Sequence, residues 1–220
     1  MNMLLSRAGL LTLFLVVITI KSILAALMPM TGDEAYFVIW GREIAWVYYA
    51  HPPITGWWMG LVLLWSDHPL AVRAMAIVVS ILPSLVLFLE ARRQQNLNHE
   101  IIIIGLFLPI LFINIFYTTD TFLLGCGALA IWVYLRAVES ERWVLYVCVG
   151  GLLSLAFLSK YLVGLVGLAI LVDQCLFRKR VIRNLLLMAL PVLPAVGLNL
   201  TWNYYHCNYN LIFNFVSRQT

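Results

Sequence analysis

The chain alternates long apolar runs with short polar interruptions, and most runs approach the ~20 residues that a helix needs to cross a hydrocarbon core. Read this way, the pattern predicts spans near 8–28, 70–89, 101–117, 121–137, 143–159, 161–177 and 184–202. The longest stretch between spans, 29–69, carries charges, prolines and a tryptophan-rich run from Trp57-Trp58 to Trp65. Tryptophan favours the membrane–water boundary, so 54–66 is expected to form a helix lying at the interface, with a short eighth span as the other reading. The first run follows Arg7 and ends near Ala25-Ala26, which imitates a signal peptide. Its cleavage pattern is poor and many spans follow, so a retained span is expected.

Composition supports the same division. Hydrophobic residues make up 63% of the chain and charged residues 11%, and the mean hydropathy is +0.95. A soluble globular domain carries about 25% charged residues, so that class is excluded. The expected fold class is all-α: a single polytopic transmembrane domain over 1–220, with 29–69 as an outward loop and 203–220 as an outward tail. Cys126, Cys148, Cys175 and Cys207 are scattered singly and suggest neither a disulfide framework nor a zinc site.

The net charge of +4 speaks of topology and not of a nucleic-acid partner, because nine of the fourteen Lys and Arg residues fall on one side of alternating spans. These nine include Arg92, Arg93, Arg136, Arg142 and the run Arg178-Lys179-Arg180 with Arg183. The positive-inside rule makes that side cytoplasmic, with the N-terminus on it. The 29–69 loop, the turn at 118–120, Lys160 and the tail after Trp202 then share the outer side.

That arrangement gathers Asp33, Glu34, His51, Asp120, Lys160, His206 and Arg218 on one face. Ionisable groups at a bilayer edge are costly unless they face a polar cavity or a partner, so their convergence marks a candidate site. Asp33-Glu34 reads as a general base with a neighbouring carboxylate, as a cation site, or as the start of a surface helix whose dipole the acids favour. His51, beside Pro52-Pro53, reads as a ligand for a metal or phosphate oxygen, or as a hydrogen-bonding loop residue. Asp120 is expected to cap the span that follows it. Lys160 divides two apolar runs and reads either as a snorkelling lysine or as a cation for a lipid phosphate; Arg218 serves the same anion or is a solvated tail charge. The aromatic, amide-rich tail from Trp202 fits an interfacial belt better than a sugar platform.

Five segments in order carry a family resemblance: Gly32-Asp33-Glu34-Ala35-Tyr36, Tyr49-Ala50-His51-Pro52-Pro53-Ile54, Thr118-Thr119-Asp120-Thr121, Leu158-Ser159-Lys160-Tyr161, and Trp202-Asn203 with Phe213 to Arg218. Together they resemble the polyprenyl-phosphate-sugar-dependent membrane glycosyltransferases, relatives of the dolichyl-phosphate-mannose protein mannosyltransferases that include lipid A aminoarabinose transferases. The resemblance implies a GT-C type fold in a bacterial inner membrane, with the site facing the periplasm. It implies an inverting transfer from a polyprenyl-phosphate-linked sugar to a lipid A, glycan or protein acceptor. Asp33 would be the base with Glu34 beside it, and Lys160 and Arg218 would hold the leaving phosphate. Asp120 would order the site or contact the acceptor. A divalent metal occurs in some members, with His51 and His206 as candidates here. Members are commonly longer, with further spans and an outer soluble domain, so the chain reads as the N-terminal part of such an enzyme. A non-catalytic remnant and, further off, a transporter subunit are the competing readings; the charges cluster at span ends and not at the midplane a transporter would prefer.

Overall fold

The computed structural model describes residues 7–93 and 115–217. Among them every regular element is helical: α1 (Arg7–Leu27), α2 (Gly32–Arg42), α3 (Ile54–Leu63), α4 (Pro69–Arg93), α5 (Asp120–Ser140), α6 (Trp143–Phe157), a 3-10 turn (Tyr161–Val163), α7 (Gly164–Phe177), α8 (Val181–Tyr205) and α9 (Tyr209–Phe215). The predicted spans coincide with helices at six of seven places; the seventh, 101–117, lies almost wholly outside the described residues. The protein is an all-α polytopic membrane protein. By length and apolar content three helices are able to cross a membrane, Pro69–Glu90, Asp120–Ser140 and Val181–Tyr205, and a fourth if Phe14–Leu27 and Gly32–Arg42 count as one span bent by 81°. Trp143–Phe157 and Tyr161–Phe177 are apolar but shorter than a full crossing. The expected interfacial helix is α3, ten residues long and also too short to span.

The bundle is closed by small residues where backbones cross. A methyl group placed on Gly150 of α6 would strike the carbonyl of Met188 in α8, so that crossing admits only glycine without a shift. At the α2–α3 crossing a methyl on Gly41 would stand 2.8 Å from the Gly60 amide nitrogen. Buried Lys21 in α1 donates to Ser80 of α4, which gives a charged group inside an apolar helix a polar partner.

Of the apolar clusters among the described residues, two frame α5. One packs Phe37, Trp40, Tyr48, Met59, Tyr117 and Phe122 beneath the acidic loop. The other packs Tyr134, Ala137, Tyr146, Val149, Ile170 and Met188. Helix α5 runs from the first cluster to the second, and α6 returns. Consequently the starts of α2 and α5, the end of α6 and the region after α8 share one end of the bundle. The turns at 141–142 and 178–180 share the other.

Candidate functional site

The acidic loop is built by a capping box. Thr31 is the N-cap of α2: its hydroxyl accepts from the Glu34 amide at 3.2 Å, and the Thr31 amide donates back to Glu34 Oε2 at 2.9 Å. Helix α2 therefore begins at Gly32, which leaves Asp33 and Glu34 in its first turn, where carboxylates complement the helix dipole.

The two adjacent acids diverge. Glu34 is fully buried and forms a bidentate pair with Arg73 of α4, Nε to Oε1 at 2.8 Å and Nη2 to Oε2 at 2.7 Å. The remaining guanidinium hydrogens go to the carbonyls of Ala25, Met28 and Pro29 at 2.8, 2.9 and 2.8 Å, so all five Arg73 donors are used. The Tyr117 amide adds a further bond to Glu34 Oε1 at 3.1 Å. Burial by itself would raise the Glu34 carboxyl, but the hydrogen bonds from Arg73, Thr31 and Tyr117 and the guanidinium charge hold it below the usual carboxylate range. Asp33 is exposed, and its carboxylate makes no hydrogen bond or ion pair among the described residues.

Asp33 opens onto a cavity of about 270 Å³ lined by Tyr36, Phe37, Ala50, His51, Thr118, Thr119, Asp120, Lys160 and Phe213. Four of the residues expected from sequence, Asp33, His51, Asp120 and Lys160, thus meet in one place. Desolvation and a hydrogen bond with Tyr49 push the Tyr36 phenol up to about 12, so it faces the cavity protonated. Asp120 is the first residue of α5 and not its cap: Thr119 occupies the N-cap position, and the Asp120 carboxylate instead accepts from Lys160 Nζ at 2.7 Å. The neighbouring residues repeat the connection, with the buried Ser159 hydroxyl donating to the Thr119 carbonyl. This double tie fixes the end of α6 to the start of α5.

Lys160 also lines a second, larger recess of about 390 Å³ with Tyr161, Leu162, Gly164, Leu165, Asn214 and Phe215. Leu162 and Leu165 on its wall are 53% and 63% exposed. One lysine therefore stands between a polar cavity and an apolar recess.

The tail has a role that the belt reading missed. Asn210 is fully buried and donates to the Tyr48 carbonyl at 2.7 Å, and Asn214 donates to the Ala50 carbonyl at 2.9 Å. These bonds hold the 48–50 segment, just before His51, from more than 160 residues away. Asn203 and Asn199 extend the network: Asn203 Oδ1 accepts from the Leu211 amide at 3.1 Å, and Asn199 accepts from the Tyr161 hydroxyl at 3.1 Å. The i,i+4 spacing of the amides, 199/203 and 210/214, is the sequence signal that places them on single helix faces.

His206 lies apart from the cavity. It is exposed and stacked on Trp202 at 4.0 Å, with Nδ1 2.7 Å from the Trp202 carbonyl. Among the described residues no group of three or more His, Cys, Asp or Glu side chains is placed to hold a metal. Arg218 lies outside the described residues.

No solved structure matches the chain. Lipid A galacturonosyltransferase RgtD of Rhizobium johnstonii is 27% identical over 191 residues, which cover 80% of this chain and 39% of that protein. The chain thus spans about two fifths of the length of that curated relative. The family model described as dolichyl-phosphate-mannose-protein mannosyltransferase matches residues 50–202, a stretch that includes His51, Asp120 and Lys160. With most of its length so matched, the chain belongs to the dolichyl-phosphate-mannose-protein mannosyltransferase family.

Proposed function

We propose that the protein is an inverting glycosyltransferase that moves a sugar from a polyprenyl-phosphate carrier to an envelope acceptor, a lipid A, another glycan or a protein, at the outer face of the bacterial inner membrane. The observation that carries this reading is the position of Lys160 between the cavity of Asp33, His51 and Asp120 and an apolar recess. A donor with a sugar, a phosphate and a prenyl chain has the same order of polar, anionic and apolar parts. The phosphate sits at Lys160, the chain leaves along Leu162 and Leu165, and the sugar enters the cavity.

Asp33 acts as the general base. It takes the proton from the acceptor hydroxyl as the acceptor oxygen bonds to the anomeric carbon, and the bond from that carbon to the phosphate oxygen breaks with its electron pair going to the phosphate. Attack from the face opposite the phosphate inverts the centre. Charge grows on the leaving phosphate, and Lys160, already held in place by Asp120, stabilises it there, as preorganised cations do. His51 and Asp120 line the same cavity and contact sugar or acceptor hydroxyls. Glu34 supports the base from behind by fixing the first turn of α2. The nine-cation side of the alternating spans supports a site on the outer face.

The test is Asp33→Asn in the full-length protein. Transfer from a polyprenyl-phosphate sugar falls at least a hundredfold, in the range for loss of a general base, while membrane insertion is unchanged. Near-normal transfer would reject Asp33 as base. Mass spectrometry of envelope lipids with and without the gene then identifies the sugar and acceptor, since the missing group names both.

A further inference from the structure

At the opposite end of α5 from Lys160 lies a second charged cavity. Twenty helical steps separate Asp120 from Ser140, about 30 Å along the axis, so the two sites stand roughly one hydrocarbon thickness apart. This cavity has a volume of about 270 Å³ and is formed where α5 ends, α6 begins and α7 turns into α8. Four cations line it, Arg178, Lys179, Arg180 and Arg183, against one carboxylate, Glu141.

The cations are unevenly compensated. Arg178 is held by Asp173 through two bonds, Nε to Oδ2 at 2.7 Å and Nη2 to Oδ1 at 3.0 Å. Arg180 reaches Glu141 only at 3.7 Å, with both side chains about three-fifths exposed. Arg183 donates to the neutral Asn184 amide at 3.3 and 3.1 Å, which leaves its charge unbalanced. The Lys179 ammonium has no acidic partner among the described residues.

Beneath the cations the floor is tied by buried hydrogen bonds. Asn184 is buried and donates to Gln174 Oε1 at 3.1 Å, and Gln174, fully buried, donates to the Tyr134 hydroxyl at 2.8 Å. Arg180 has φ 59°, a left-handed backbone that a non-glycine residue adopts only under constraint from its surroundings. Phe177 on the cavity wall is 72% exposed, and Ile182, next to Arg183 in the chain, is 76% exposed. A positive cavity beside bare apolar side chains at the end of spanning helices matches a phosphate attached to acyl chains.

We propose that this cavity binds the phosphate headgroup of an anionic membrane phospholipid, in the leaflet opposite the candidate active site. The phosphate contacts Lys179, Arg180 and Arg183, and the acyl chains run down past Phe177 and Ile182. Arg178 is a structural member, since Asp173 already engages it.

The experiment titrates phosphatidylglycerol and phosphatidylcholine into the full chain in detergent, reads bound lipid by native mass spectrometry, and repeats this for Arg180→Gln/Arg183→Gln. Wild type prefers phosphatidylglycerol. The double variant lowers its affinity about thirtyfold, since each basic residue at a membrane surface contributes about fivefold, and leaves phosphatidylcholine binding unchanged. Arg93→Gln, at the same end of the bundle but paired with Glu90 and Glu139, removes a charge outside the cavity and lowers affinity less than twofold. Lys179→Gln, a milder change, gives about a fivefold drop and serves if the double variant fails to fold by circular dichroism. Undiminished preference in a folded cavity variant overturns the proposal. So does an equal loss in Arg93→Gln, which would mean general surface charge, or displacement of the lipid by equimolar inorganic phosphate, which would mean a site for a free anion.

Discussion

Two carboxylate–cation pairs near one end of the bundle have the same 2.7 Å contact and opposite surroundings. Glu34 and Arg73 are both 0% exposed, whereas the Asp120 and Lys160 side chains are 43% and 26% exposed. The first pair has every donor engaged, and four elements converge on it: the end of α1, the start of α2, α4 and the segment before α5. The second pair borders a cavity, and solvent or substrate has access to both partners. A buried ion pair with complete hydrogen bonding is costly to break from either side, while an exposed one contributes little to stability and is easily exchanged. The sealed pair thus holds the loop, and the open pair is available for chemistry.

Substitutions that break the contrast rank accordingly. Arg73→Leu is expected to be the most damaging, because it leaves the buried Glu34 carboxylate without its cation and three carbonyls without the donors that Arg73 supplies. Losses of ~3–5 kcal/mol accompany such removals, and thermal unfolding in detergent should show a large fall in midpoint or no folded protein. Lowering the pH attacks the same pair from the acid side. The folded Glu34 carboxyl titrates below its ordinary value of 4.5, so its stabilisation is complete above that pH and is lost as the pH falls through the depressed value. Acid unfolding followed by circular dichroism should begin below pH 4.5 and should be less steep in Glu34→Gln.

The open pair should respond in the other direction. Asp120→Asn is expected to change stability by less than ~1 kcal/mol, and a double-mutant cycle with Lys160→Met should give a much smaller coupling energy than one for Glu34 and Arg73. Lys160→Ala should leave the unfolding midpoint nearly unchanged yet weaken use of the polyprenyl-phosphate donor, read as a rise in KM, a fall in kcat, or both. Donor kinetics equal to wild type would leave Lys160 as a snorkelling residue only.

The same contrast explains what the sequence made legible. Helix positions follow from apolar run length, a local property, and α4, α5 and α8 begin and end within a few residues of the expected bounds. Asp33, His51, Asp120 and Lys160 were brought together by counting alternations of the chain, which fixes the end of the bundle for each residue. The partner of Glu34 was not available in that way. Arg73 counts there only as one outward basic residue, and a contact across 39 positions leaves no local trace. The Thr31-x-x-Glu34 spacing did carry the capping box, and with it the sign that Glu34 turns back toward the helix start and away from Asp33. Asp120 was misassigned as a cap because Thr119 and Asp120 are both good capping residues and only tertiary contact with Lys160 decides between them. The tail reads as an interfacial belt because the bonds from Asn210 and Asn214 to the Tyr48 and Ala50 carbonyls are tertiary contacts that composition does not record.

The Arg73 clasp also sets an order of assembly. The ribosome releases the chain from the N-terminus at about 5–20 residues per second, and Glu34 precedes Arg73 by 39 residues and the Tyr117 amide by 83. For roughly 2–8 s the carboxylate has been made but its guanidinium partner has not, and for roughly 4–17 s the last donor is missing. During that interval the acidic loop must wait in water, because an unpaired carboxylate does not enter the interior. Insertion of α4 is therefore the event that closes the loop, and the cavity facing Asp33 takes shape only after α4, α5 and the tail have followed one another out.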